Sequence, residues 1–350
     1  MRKTVQILIG LIISLLALWL AFRGADLAQV VQALREANYF YVLPAGFLVW
    51  LGLVFRAQSW RVILGGRVPL IRTYHAMNEG YLLNNLLPFR LGEFGRAYLI
   101  SHGTPVTASQ ALSSVVVERV IDLLVILMLV LAYLPQLAGL GLGGNFALMA
   151  GLLGGGAMLA LVLVARNQRL VLRLARAVLN RLPWLDTTRW ENRLAALLEG
   201  LSVLQDVRRA LLAAFWSGMA WAAAGLAAWV LLVGFVPGVS AGAGFFVLMA
   251  VGLGNAVPSA PSAAGVFEFA AVKALGVFGI ANSVAFSFAI VFHLLHIVLT
   301  SVLGGWALSR EGETIAHLVQ SAQSLLSGGE GRASATAAAP ARPADLPSDQ

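Results

Sequence analysis

The chain has 350 residues, 59% of them hydrophobic and only 11% charged, with a formal net charge of +8 and no cysteine. With several apolar runs of spanning length, that balance excludes an ordinary soluble domain and indicates an all-α polytopic membrane protein. The missing cysteine excludes disulfide staples, thiolate metal sites and cysteine nucleophiles.

In chain order, the first apolar run is 5–22, after Arg2 and Lys3. It is longer than a signal-peptide core and has no small-residue cleavage site before Arg23-Gly24, so it reads as a retained span. Further full-length runs follow at 39–55, 109–133, 145–165, 211–236 and 282–308, making six. Two more regions, 73–101 and 242–280, are apolar but interrupted, at Asn85-Leu86-Leu87-Pro88 and at Asn255-Ala256-Val257-Pro258. Each half holds about 11 to 17 residues, short of the roughly 20 needed to cross a bilayer. They read as helix–break–helix hairpins, either re-entrant or paired tilted spans, with Pro88, Gly92, Pro258, Pro261 and Gly265 as the break residues.

Direction follows from arginine. The 56–72 link carries Arg56, Arg61, Arg67 and Arg72 without an acid, and the 166–210 link carries nine arginines against four acids. Both are cytoplasmic under the positive-inside rule, while the uncharged links at 135–144 and 237–242 suit the other side. The N- and C-termini are then cytoplasmic, and the two broken hairpins enter from opposite faces, as in an inverted repeat. In the 166–210 link, Arg166, Arg169, Arg173 and Arg176 fall at helical spacing. This predicts an amphipathic segment lying along an anionic leaflet, unless it is simply the topogenic loop. From about residue 311 the chain turns to Ala, Ser, Pro and Gly and reads as a disordered tail over 311–350, leaving 1–310 as the transmembrane domain.

Ionisable groups in lipid cost roughly 2.5–3.5 kcal/mol each on insertion scales, so they face a bundle interior or a wet cavity. Around the first break stand Glu79, Arg90, Glu93 and Arg96; the third full span carries Glu118, Arg119 and Asp122; the second broken region carries Glu268 and Lys273. Glu118, Arg119 and Asp122 lie within an arc of about 100°, one polar stripe on an otherwise aliphatic helix. Arg119 is expected to neutralise one carboxylate and Arg90 or Arg96 the other, while Glu93 and Arg96 share a helix face. The alternative is helix-to-helix ion pairing with no cavity. With Asn85 and Asn255 at the breaks, these groups make the candidate substrate-binding set: Asn85, Arg90, Glu93, Arg96, Glu118, Arg119, Asp122, Asn255 and Glu268. Helix N-termini at the breaks are candidate anion donors. His293 and His296 share a face of the last span, as a candidate proton relay or as a bundle-core pair. Two histidines are too few to hold a metal, and no cofactor motif occurs.

The run Asn84-Asn85-Leu86-Leu87-Pro88-Phe89-Arg90-Leu91-Gly92-Glu93-Phe94-Gly95-Arg96, then Glu118-Arg119 with Asp122, then Pro261 to Gly265 and Glu268, resembles the lysylphosphatidylglycerol synthase transmembrane region, or flippase-like, family. The resemblance covers about 5–310. It implies a bacterial inner-membrane domain that, in two-part relatives, moves an aminoacylated phospholipid between leaflets beside a soluble aminoacyl-transferase. Only a short tail follows here, so lipid synthesis is not expected. The family tends to have Pro-Gly-Gly-x-Gly where this chain has Pro261-Ser262-Ala263-Ala264-Gly265, which predicts a turn less permissive of positive φ.

The leading expectation is a lipid flippase-like transporter, not an enzyme, for a phospholipid or glycolipid with a charged headgroup. Alternatives are a proton- or ion-coupled carrier of small solutes, and a headgroup transferase using Glu93 or Asp122 as base. Expected partners are membrane lipids (anionic or aminoacylated phospholipid, glycolipid or polyprenyl-linked lipid), with a lipid-biosynthetic enzyme or a second copy as protein partners, and no nucleic acid.

Overall fold

The computed structural model describes residues 2–87, 90–133, 135, 152, 155, 156, 159, 160, 162–180, 187–255, 257 and 259–311. Among them the protein is all-α, with twelve helices. The run at 145–165, Pro88, Pro258 and the tail from 312 fall wholly or largely outside the described residues.

Helix α1 (Arg2–Phe22) ends at Gly24, whose φ of 93° stops the helix, and Asp26 starts α2 (Leu27–Glu36) by accepting from the Ala28 and Gln29 amides at 2.7 and 3.4 Å. The two helices bend by 80°. After a 3-10 turn at Tyr39–Tyr41, α3 (Val42–Ile63) runs eight residues past the expected end at 55. Arg56 and Arg61 therefore belong to a helix, not to the link assigned to them. The apolar period simply continues through Ala57, Trp60 and Ile63, which are all buried.

The first interrupted region is α4 (Leu70–Leu86) and α5 (Gly92–Ser101), packed against each other as a hairpin. Its arms touch backbone to backbone, since a Cβ on Gly92 would overlap the Gly80 carbonyl oxygen. Helix α6 (Ala108–Ala132) opens with a capping box, Thr107 Oγ1 accepting from the Gln110 amide at 3.2 Å and Gln110 Oε1 from the Thr107 amide at 3.0 Å. The arginine-rich link folds into α7 (Gln168–Leu179) and α8 (Thr187–Gly200), joined by a two-bond Arg176–Glu191 pair at 2.7 Å. Next comes α9 (Val207–Val233), N-capped by Asp206.

The second interrupted region is α10 (Ala241–Gly254), a 3-10 turn at Pro261–Ala263 and α11 (Val266–Gly276), again packed as a hairpin. The last helix is α12 (Asn282–Glu311). At 1.5 Å per residue α5 and α11 extend only about 15–17 Å, roughly half a hydrocarbon core.

Three described helical stretches are long and apolar enough to cross a membrane, Tyr39–Ile63, Val207–Val233 and Asn282–Glu311, with the bent α1–α2 pair as a fourth. Helix α6 has the length but carries Glu118, Arg119 and Asp122. Two apolar clusters hold the bundle, one around the second hairpin (Phe246, Met249, Phe267, Leu275, Phe288) and one around the first (Trp60, Met77, Leu83, Leu99, Ile100). The break of each hairpin is left free to face the other.

Candidate functional site

A cavity of about 710 Å³ opens between the two breaks. It is lined by Asn84, Asn85, Arg90 and Glu93 from the first hairpin, Arg56 from α3, Arg119 and Asp122 from α6, Trp221 from α9, Asn255 and Ser262 from the second hairpin, and His293, His296 and Thr300 from α12. Six separate elements thus converge where the chain leaves helical geometry.

An ion network forms one wall. Arg56 donates to Asp122 at 2.9 Å and to Glu118 at 3.3 Å; Arg96 pairs with Glu118 at 2.9 Å and with Glu93; Arg119 reaches Glu118 at 2.7 Å, Asp122 at 3.5 Å and Glu93 at 3.7 Å. Asp122 also accepts from Ser217 Oγ at 3.2 Å and Trp221 Nε1 at 2.9 Å. The Arg96 guanidinium lies 4.7 Å over the Trp60 ring, whose Nε1 is fixed by Ser114 Oγ at 2.8 Å. Charges this buried persist because each faces opposite charge.

The two breaks are tied to each other. Arg90 donates to the Asn255 carbonyl at the C-terminal end of α10, and Ser262 Oγ donates to the Asn85 carbonyl at the C-terminal end of α4 at 3.4 Å. Each hairpin therefore caps a carbonyl that the other leaves without a helical partner. Asn85 Nδ2 also donates to Thr300 Oγ1 at 2.9 Å and Ser301 Oγ at 3.0 Å, holding the first break to α12.

Among the described residues three non-glycines have positive φ, Arg90 at 53°, Ser262 at 61° and Ala263 at 60°, and all three sit in the breaks. The Ser-Ala replacement does not abolish the left-handed turn; the chain keeps that turn with side chains in place, at about 1–2 kcal/mol per residue. Gly265, at φ 84°, has no such freedom, because a Cβ there would strike the Ser14 carbonyl.

Glu268 lies behind this turn. One of its oxygens accepts from the Gly265 amide at 2.6 Å and the other meets His293 Nδ1 at 2.6 Å; His293 Nε2 faces the Ser262 carbonyl at 2.9 Å. A carbonyl only accepts, so Nε2 carries a proton, and one further proton lies between Nδ1 and Glu268. The ring is stacked on Phe267 at 4.2 Å.

A family model described as Lysylphosphatidylglycerol synthase TM region matches residues 7–304. The chain belongs to that family. It is a multi-pass membrane protein with a lipid-related function. No curated protein matches the chain.

Within this lysylphosphatidylglycerol synthase TM region, Asn85, Arg90, Glu93, Arg119, Asp122 and Asn255 from the candidate set line the cavity, and His293 and His296 line it too. Arg96, Glu118 and Glu268 do not; they stand behind the wall and hold those that do. Of the two arginines offered to the α6 carboxylates, Arg96 takes Glu118, and Arg90 goes to a carbonyl instead. The Gly92 and Gly265 amides are not open to an anion, being bonded to Asn84 Oδ1 at 2.8 Å and to Glu268. Lys273 lies 5.7 Å over Phe269, away from the network. Pro261 opens the 3-10 turn.

Sequence reasoning missed Arg56, Trp221 and Tyr81, the last of which also lines the cavity from α4. The available signal for Arg56 was the unbroken apolar period on both sides of it.

Proposed function

We propose that this protein is a flippase-like transporter that moves a phospholipid or glycolipid with a charged headgroup between leaflets of a bacterial inner membrane. The observation that carries the reading is the charged cavity between two half-length hairpins inside an apolar bundle. A headgroup cannot cross hydrocarbon unaided, whereas a polar cleft lowers that barrier while the acyl tails stay in lipid. The ties between the breaks are single hydrogen bonds from Arg90 and Ser262, so a headgroup that binds Arg90 competes with the contact holding the hairpins together. The arginine-rich 166–210 link favours a cytoplasmic placement of α7 and α8.

Glu93 and Asp122 are paired with arginines, and under the transport proposal they belong to the wall. Liposomes with purified protein and a labelled phospholipid test the proposal against empty liposomes and against Glu93→Gln and Arg119→Gln. Protein-dependent scrambling that both variants reduce supports it; equal scrambling with and without protein rejects it.

The proton shared by His293 and Glu268 at the strained turn favours a second reading, coupling of transport to a proton gradient. Rates that ignore an imposed gradient would reject that coupling.

A further inference from the structure

The arginine-rich hairpin of α7 and α8 lines none of the cavity, and α7 presents three distinct faces. At 100° per residue Val171, Leu172 and Ala175 share an arc of about 100°, and Val171 and Leu172 pack onto the apolar cluster around the first hairpin. Leu170, Leu174 and Ala177 share a second arc of about 60° and are exposed, the two leucines at 50% and 59%. Arg169, Arg173 and Arg176 fill a third arc of about 60°, also exposed.

The positive charge of that third face is mostly unmatched. Arg176 pairs with Glu191 of α8, whereas among the described residues no carboxylate comes within ion-pair distance of Arg169 or Arg173, and α7 itself carries no acid.

The level of α7 is set by its neighbours in the chain. It follows the apolar run at 145–165 after a single turn at Asn167, whose amide donates to the Leu163 carbonyl at 3.0 Å and whose carbonyl accepts from the Val171 amide at 3.1 Å. Leu159 and Leu163 on that run are exposed, as a lipid-facing surface is. The link returns at the same place, since Gln205 Nε2 donates to the Ala165 carbonyl at 2.6 Å, one residue before Asp206 caps the spanning helix α9. Gln168 Nε2 donates to the Leu198 carbonyl at 2.8 Å and fixes the first turn of α7 against the end of α8.

We infer that α7 lies flat on the cytoplasmic leaflet, with Leu170 and Leu174 in the acyl boundary and Arg169 and Arg173 on the phosphates of anionic lipids. A leaflet supplies both things this surface lacks, apolar cover for the leucines and negative charge for the arginines. Arginine stems reach the phosphates while the leucines beside them stay buried. An acidic protein segment would supply the charge as well, but a helix about 18 Å long that starts where an apolar run ends has lipid within reach of its whole length. Nothing in this depends on what the cavity moves.

Because the chain has no cysteine, a Leu174→Cys variant of the full chain carries a single fluorophore on the apolar stripe. It is reconstituted in vesicles of phosphatidylcholine alone, or of equal parts phosphatidylcholine and phosphatidylglycerol, each with a quencher on the acyl chains. The ratio of quenched to unquenched probe is expected to rise at least about tenfold in the anionic vesicles, the scale of two arginines at an anionic surface. Roughly 1 M salt, at which the screening length is about 3 Å, is expected to remove most of that difference. Combining Arg169→Gln with Arg173→Gln in the labelled chain is expected to remove it too, and since both side chains are exposed the packed face of α7 is left intact. Equal quenching in the two vesicles overturns the inference and leaves the arginines a topogenic role alone. A probe unquenched in both overturns it as well, being the result for a face turned to the cytoplasm and to a protein partner. So does a preference for anionic vesicles that survives the loss of both arginines.

Discussion

Replacing Arg56 by Gln tests whether the network is a structural wall as well as a site. Arg56 bridges Asp122 at 2.9 Å and Glu118 at 3.3 Å, and both carboxylates are almost wholly buried. Removing one partner of a buried pair costs about 3–5 kcal/mol, because the remaining charge stays desolvated. Here the lower end applies: Arg119, Ser217 and Trp221 still reach Asp122, and the Arg56 side chain is 19% exposed, so water screens part of the interaction. The expected loss is about 3 kcal/mol, a fall in Tm of roughly 5–10 °C. Thermal unfolding in detergent measures it, with Arg61→Gln as the control; Arg61 lies on the same helix and donates to the Val68 carbonyl at 3.0 Å, with no carboxylate in ion-pair distance among the described residues. Adding Asp122→Asn to Arg56→Gln removes one orphaned charge and is expected to recover about 1 kcal/mol or more. Equal losses at Arg56 and Arg61, or additive effects in the double variant, would refute the reasoning.

Ala263→Gly relieves a left-handed alanine at φ 60°; after subtraction of the extra freedom of glycine in the unfolded chain it is expected to stabilise the protein by about 0.5–1 kcal/mol, read as a higher Tm. Gly92→Ala drives a methyl into the Gly80 carbonyl and forces the arms of the first hairpin apart, for a loss of about 1–3 kcal/mol in the same melt. In the α7–α8 link the hydrogen bond from Arg176 holds the Glu191 carboxyl below its usual range, so the pair helps the link when pH lies above the unfolded carboxylate value and is lost as pH falls through the folded one. Limited proteolysis of the link is therefore expected to speed up on acidification below about pH 4.5, and Glu191→Gln to remove most of that pH dependence.

The two breaks were legible because proline and paired asparagines interrupt apolar period in a way no other segment of the chain does. Helix α6 was equally plain, since Glu118, Arg119 and Asp122 fall on one arc of an aliphatic helix. Arg56 was not, because an arginine near the end of an apolar run has the same local signature whether it meets lipid headgroups or a carboxylate 66 residues away. The turn at Ser262 was misjudged for a related reason. Propensity disfavours a left-handed serine, and the hydrogen bonds to Asn85 and His293 that help hold it come from residues distant in the chain.

Class, the two broken regions and most of the buried charge follow from sequence alone, since they depend on hydropathy and short-range period. Which charge meets which was decided by tertiary packing, and with it the division between Arg119 and Arg90 in the cavity and Arg96, Glu118 and Glu268 behind it. A carboxylate's partner is set by which helix faces it across the bundle, and that is a property of helices docked in three dimensions, carried by no local stretch of chain.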